Sequence, residues 1–191
     1  MVRNYTDESV APEVVDRILD TARRAPSAGH SQGQAYVVVT DPGMRRRIAE
    51  LADEPAYVAK GFDPWISRAP VHVVVCVSKD LYLRRYSEPD KGGGPMGIES
   101  AWPVPYWWVD AGAALMLVLL AAVDEGLAAG FLGSHNMPDL KATLDIPDPM
   151  DPIGIVTIGH PAPDRRSGSL DRGRRPVEDV VHRNRWHTAA D

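Results

Sequence analysis

Residues 23–32, Arg-Arg-Ala-Pro-Ser-Ala-Gly-His-Ser-Gln, place a hydroxyl, an imidazole and an amide on a run of otherwise small residues. Ser27, His30 and Gln32 offer donors and acceptors for the polar edge of a planar ligand. Gly29 can take the positive φ that allows a backbone to approach such a ligand. Pro26 cannot continue a helix and biases Ala25 away from the helical region. Taken alone, the ten residues read best as an ordinary helix-to-strand loop. Further on, Arg172 and Arg174 alternate along the chain. In an extended segment alternate residues point the same way, so two guanidiniums could converge on one dianion with bidentate geometry. With Arg165, Arg166 and Arg175 close by, a solvated basic loop explains them equally well. Gly-x-Ser-x-Gly and P-loop patterns are absent. The histidines at 30, 72, 135, 160, 182 and 187 lack the i, i+4 pairing of a zinc helix. No protein nucleophile or acid–base pair stands out.

The elements that must position these groups can be read from size and periodicity. A chain of 191 residues is expected to form one domain, 1–191, with a substantial core. A net charge of -5 argues against a nucleic-acid backbone as the main partner. Cys76 is the lone cysteine, so neither a disulfide framework nor a thiolate metal site is available, which fits a reducing cytoplasm. No signal peptide opens the sequence. The apolar segment 111–123 is too short to span a bilayer and is flanked by Asp110 and Asp124, so no membrane association is expected.

Pro12 suits the first turn of a helix, and Val15, Ile18, Leu19 and Ala22 share one helical face. Residues 35–40 read as a strand, and Asp41-Pro42 opens a second helix with Met44, Ile48 and Leu51 inward. Residues 72–78 form a Val-rich run, the pattern of a strand buried on both faces, with His72 and Cys76 as core residues. Residues 81–106 show no clean period, carry Gly92-Gly93-Gly94 and four prolines, and end among Trp102, Tyr106, Trp107 and Trp108. Such a long loop is usually functional, and 81–108 is expected to be a lid insertion. Residues 109–125 read as a helix apolar on nearly all sides and hence central, with Gly126 as its C-cap. A short extended connection at 131–134, a short helix at 139–144 and a strand at 153–158 follow. The tail 176–191 carries Val177, Val180, Val181 and Trp186 and needs a surface to cover. Helices and strands mix without strict βαβ alternation, which indicates an α+β fold.

The stretch at 23–32 resembles the Ala-Pro-Ser-x-x-Asn-Ser-Gln-Pro-Trp signature of the nitroreductase-like FMN-dependent oxidoreductases. Three further stretches, 110–133, 153–161 and 172–186, support the resemblance in the right order, and four motifs in order are specific where each alone is weak. His30 stands where Asn is usual, and Gly33-Gln34 where Pro-Trp is usual. The family's opening basic motif is present only as Val2-Arg3, which leaves Arg3 as its surviving candidate.

The resemblance implies a central mixed sheet flanked by helices, with a C-terminal arm, 176–191, exchanged in a homodimer. It implies FMN as cofactor and NAD(P)H as electron donor, with hydride passing through the flavin to a small acceptor such as a nitroarene, quinone, enone or flavin. It implies no catalytic side chain, since the cofactor carries the chemistry and the protein binds and orients it. Arg172 and Arg174 would hold the FMN phosphate with Arg3. Pro26, Ser27, Ala28, His30 and Gln32 would contact the ribityl chain and ring. The backbone at Leu132 and Gly133 would face N5 and O4, where a donor stabilises developing charge. Trp102, Tyr106 and Trp107 would meet the substrate. A non-catalytic flavin-binding module, a dehalogenating, flavin-fragmenting or deazaflavin-using relative, and a structural interaction protein remain as alternative readings.

Overall fold

The computed structural model describes residues 2–92, 94–165 and 167–186. Gly93 of the expected glycine run, Arg166 of the basic stretch and residues 187–191 of the expected arm lie outside the described residues.

A four-stranded sheet in the order β1-β2-β4-β3 organises the chain. Its strands are β1 (Gln34–Val39), β2 (Val71–Val77), β3 (Ala128–Gly133) and β4 (Asp151–Gly159). The α+β class agrees with the sequence reading. The sheet within this chain, however, is antiparallel at all three pairings where a mixed sheet is expected. Each connection returns the next strand in the opposite sense to its neighbour, so no parallel pair forms among the described residues.

Every residue of β2 is buried, as its unbroken valine run requires of a central strand covered on both faces. Val71, Val73 and Val75 face helices α1 (Pro12–Ala22) and α6 (Tyr106–Asp124), packing against Ile18, Ala22, Val118 and Ala122. Val74 and Cys76 face the other way, into a core with Ile48 of α2 (Pro42–Leu51), Trp65 of α4 (Trp65–Arg68) and Leu140 of α7 (Leu140–Thr143). The result is three layers with the sheet in the middle. Asp41 caps α2 by accepting the Met44 N–H at 2.7 Å, and Pro42 occupies its first turn, where no N–H is needed.

α6 begins at Tyr106, three residues before the expected start, and its 19 residues pass the length and composition test for a membrane span. The expectation that the apolar segment is too short is therefore corrected. Packing decides its role here: Ala111, Ala114, Val118 and Ala122 are fully buried against the fold. The helix is not buried all round, because Val109, Met116, Leu120 and Val123 are between 48 and 62% exposed. It ends in a Schellman motif at Gly126 (φ +76°), where the Leu127 N–H reaches the Ala122 carbonyl and the Gly126 N–H reaches that of Val123.

Two further differences concern length. Residues 128–130, expected to lie outside the extended segment, join 131–133 as β3 and pair with β4. Within 81–106, α5 (Lys79–Tyr86) is a regular helix and three short 3-10 turns follow it. The helix lacks a legible period because Tyr82 is its one buried residue, which leaves no apolar stripe for the eye to find.

Candidate functional site

The loop between α1 and β1 is held by groups from α5 and α6. α1 ends at Ala22, whose carbonyl accepts the Tyr36 hydroxyl at 3.0 Å. Ala28, Gly29 and His30 then form a single 3-10 turn, closed by the His30 N–H on the Ser27 carbonyl at 2.8 Å. The Ser27 hydroxyl oxygen accepts the Gln32 N–H at 2.9 Å. Gly29, His30 and Gln32 have φ of +60°, +57° and +49°. Positive φ at two non-glycine residues costs energy that the surroundings must supply, and such strain concentrates at functional sites. Gly29 has a second reason to be glycine, since a Cβ there would lie 2.7 Å from the Tyr86 ring. This turn leaves His30 and Gln32 exposed and Ser27 and Ala28 half-buried.

Two anchors, Asp110 and Arg85, keep the loop in place, and Tyr82 braces the first. The Asp110 carboxylate accepts the Ala28 N–H and the Tyr82 hydroxyl, each at 2.8 Å. The Arg85 Nε donates to the Gly29 carbonyl at 2.9 Å, while its other nitrogens bind Glu88 and Asp90. Burial, the bond to Asp110 and the charge of Asp110 all push the Tyr82 phenol upward, so it remains a donor. None of these anchors was among the expected site residues. Asp110 was legible in principle, because it is the one charged residue between Tyr106 and Val123. A carboxylate buried in an apolar helix must find donors.

At the end of β3, Leu132 packs on the core and Gly133 pairs with Gly154 of β4. A Cβ at Gly154 would stand 2.3 Å from the Leu132 carbonyl, and one at Gly133 would stand 2.8 Å from the His135 ring. Glycine at 154 is thus required by the backbone of this chain, whereas at 133 the exposed His135 ring could move aside. The backbone at 132–133 is half-exposed.

Arg172 and Arg174 lie on the exposed segment after β4, Arg172 at the end of a 3-10 turn and Arg174 just beyond it. Neither guanidinium has a hydrogen-bond or ion-pair partner among the described residues. Arg3 is half-buried, its N–H on Asp164 at 2.8 Å and its guanidinium 6.0 Å from the Trp65 ring centre. Two free guanidiniums suit a phosphate dianion, and the hydroxyl, imidazole and amide at 27–32 suit the polar edge of a heterocycle. The residues present therefore fit a phosphorylated planar cofactor such as FMN.

Within one protomer these sets are not bonded to one another. No hydrogen bond or ring contact links residues 27–32 to 132–133 or to 172–174 among the described residues. The cleft of about 500 Å³ bounded by Arg46, Glu50, Pro55 and Val58 includes none of them. The aromatic residues divide as well. Trp102 and Trp107 are 8% and 3% exposed and pack edge-on to Tyr82, with the Trp102 indole N–H on the Met96 carbonyl at 2.7 Å. In this protomer they are core residues, while Tyr106 is 44% exposed and edges onto Trp102.

Comparison with known proteins agrees with the fold. An FMN reductase [NAD(P)H] of Bacillus subtilis is 34% identical over 191 residues, which span 97% of this chain and 70% of the relative. The oxidoreductase YcnD from Bacillus subtilis superposes with a TM-score of 0.73 at 30% identity, covering 98% of this chain and 71% of its own. NfrA2 of B. megaterium does so with a TM-score of 0.73 at 26% identity, covering 98% and 72%. Residues 1–160, which include the loop, its anchors and both glycine positions of β3 and β4, match the nitroreductase family, and the chain belongs to it.

Proposed function

We propose that this chain is an FMN-dependent NAD(P)H oxidoreductase that reduces a small acceptor, working as a homodimer with one FMN in each shared site. The observation that carries the reading is the 34% identity, over 97% of the chain, to a relative named FMN reductase [NAD(P)H]. Bound FMN would supply the ring that takes hydride from the nicotinamide and passes it to the acceptor. Arg172 and Arg174, with Arg3, would neutralise the phosphate. Ser27, His30 and Gln32 would hold the ribityl chain and ring edge, with His30 in place of the family's amide. The backbone at Leu132 and Gly133 would lie against the ring, and Tyr106, which is 44% exposed, would meet the acceptor.

A shared site accounts for these groups not being bonded to one another within one protomer, and members of this family are generally dimeric. It also accounts for Val177, Val180, Val181 and Trp186, which are 50 to 76% exposed here and would be covered by a partner. The buried free thiol of Cys76 suits a reducing, cytoplasmic setting. Nitroarenes, quinones, enones and free flavin are the acceptors to try. Donor and acceptor would use one pocket in turn, so ping-pong kinetics are expected.

Purified protein reconstituted with FMN should show oxidised-flavin absorption that NADH or NADPH bleaches without any acceptor. A protein that does not take up FMN refutes the reading. One that binds FMN but is never bleached is a flavin-holding module and not this enzyme.

A further inference from the structure

Asp110 is only 8% exposed, and its neighbours Val77, Tyr82, Trp102, Trp107 and Ala111 form an apolar and aromatic cluster. No cation pairs with it among the described residues; its partners are the Ala28 N–H and the Tyr82 hydroxyl. A carboxylate in such surroundings is costly and could be replaced by an apolar residue if packing were its role. What it holds is the peptide that opens the strained turn, one residue before Gly29 and two before His30. The turn is tied to the body of the protein at two points, the Ala28 N–H on Asp110 and the Gly29 carbonyl on Arg85, while the Gly29 N–H has no partner among the described residues.

We propose that Asp110 is a positioning residue for the cofactor: it fixes the backbone of residues 27–32 in the conformation that presents Ser27, His30 and Gln32 to FMN. The inference rests on the reading of that loop as a flavin contact. Asp110 does not itself touch the ligand. It acts by removing the freedom of a turn whose φ angles the free chain would seldom adopt, so that FMN does not have to order it on binding. The Tyr82 bond fixes the carboxylate in turn and ties the loop to α5.

The test compares wild type, Asp110→Leu, which roughly keeps the shape but removes the Oδ2 that accepts both bonds, and Ile48→Val, a destabilising change in the opposite core layer. FMN dissociation constants come from flavin fluorescence titration, and amide exchange in the cofactor-free protein comes from NMR. Asp110→Leu should weaken FMN at least tenfold and speed exchange of residues 28–32, while Ile48→Val leaves both within about twofold. An Asp110→Leu protein that binds FMN as tightly as wild type, or no more weakly than Ile48→Val, overturns the proposal. Wild type supplies an arm that needs no substitution: its Ala28 amide should exchange at least tenfold more slowly than that of Gly29 after correction for intrinsic rates, and equal rates overturn the anchor. Failure of wild type to bind FMN at all would instead refute the functional reading, so the two failures are distinguishable.

Discussion

Under the proposed function Arg172 and Arg174 are phosphate-binding residues that hold no partner before the ligand arrives. Both are exposed, and neither makes an ion pair among the described residues. That is the state expected of groups whose partner is a phosphate. A charge-assisted hydrogen bond contributes roughly 1.5–3 kcal/mol, so the double change Arg172→Ala/Arg174→Ala should weaken FMN by about a hundredfold or more. Flavin titration at two salt concentrations reads this directly. An unchanged affinity would make the segment an ordinary basic loop. Gly29 is the converse case, a residue set by its own chain: the left-handed turn and the Tyr86 ring both forbid a Cβ.

Among the elements, α6 has two apolar faces, and only one is used within the protomer. Ala111, Ala114, Val118 and Ala122 are small and lie close on the sheet, whereas Val109, Met116, Leu120 and Val123 form a second stripe that faces outward. The spacing of the outer set, 109, 116, 120 and 123, keeps it on one side of the helix. A stripe of that kind on an exposed helix is what a second copy of the chain would cover under the proposed homodimer. Met116→Glu with Leu120→Glu should therefore yield a monomer in analytical ultracentrifugation with near-native circular dichroism, since both side chains are already exposed in the isolated fold. FMN binding should fall with the dimer. A variant that stays dimeric would move the interface elsewhere on the molecule.

For the molecule as a whole, the buried His72 links stability to pH. Its imidazole is fully buried in β2, with Nε2 2.7 Å from the Ile66 carbonyl and Nδ1 without a partner among the described residues. Burial, reinforced by Arg45, pushes its pKa down to about 4 from 6.5. The native state therefore excludes a proton that the unfolded chain binds. Stability is full above about pH 6.5, falls as the pH drops towards 4, and gains no further loss from this group below that. The depression corresponds to roughly 3 kcal/mol. His72→Gln keeps a donor for Ile66 but cannot titrate. Urea unfolding at fixed protein concentration should show wild type losing about 3 kcal/mol more than His72→Gln between pH 7 and pH 4. Equal losses would place the acid sensitivity among the carboxylates.

The sequence by itself determined what depends on local pattern. The Val-rich run at 72–78 read as a strand buried on both faces and forms β2 one residue earlier, while Asp41-Pro42 opens a helix and Gly126 closes one as their local chemistry indicates. The four ordered motifs placed the chain in its family. Tertiary structure decided what depends on partners distant in sequence. Asp110 read as a mere flank of an apolar segment until the fold brought the Ala28 N–H and Tyr82 to it across 82 and 28 residues. Trp102 and Trp107 read as lid aromatics until Tyr82 closed a cluster around them. The sense of the strands was equally hidden, because a strand's burial pattern is the same whichever way its neighbour runs. The split of α6 into a used and an unused face followed from the placement of the sheet, since a helix apolar all round carries no mark of which side will be covered first.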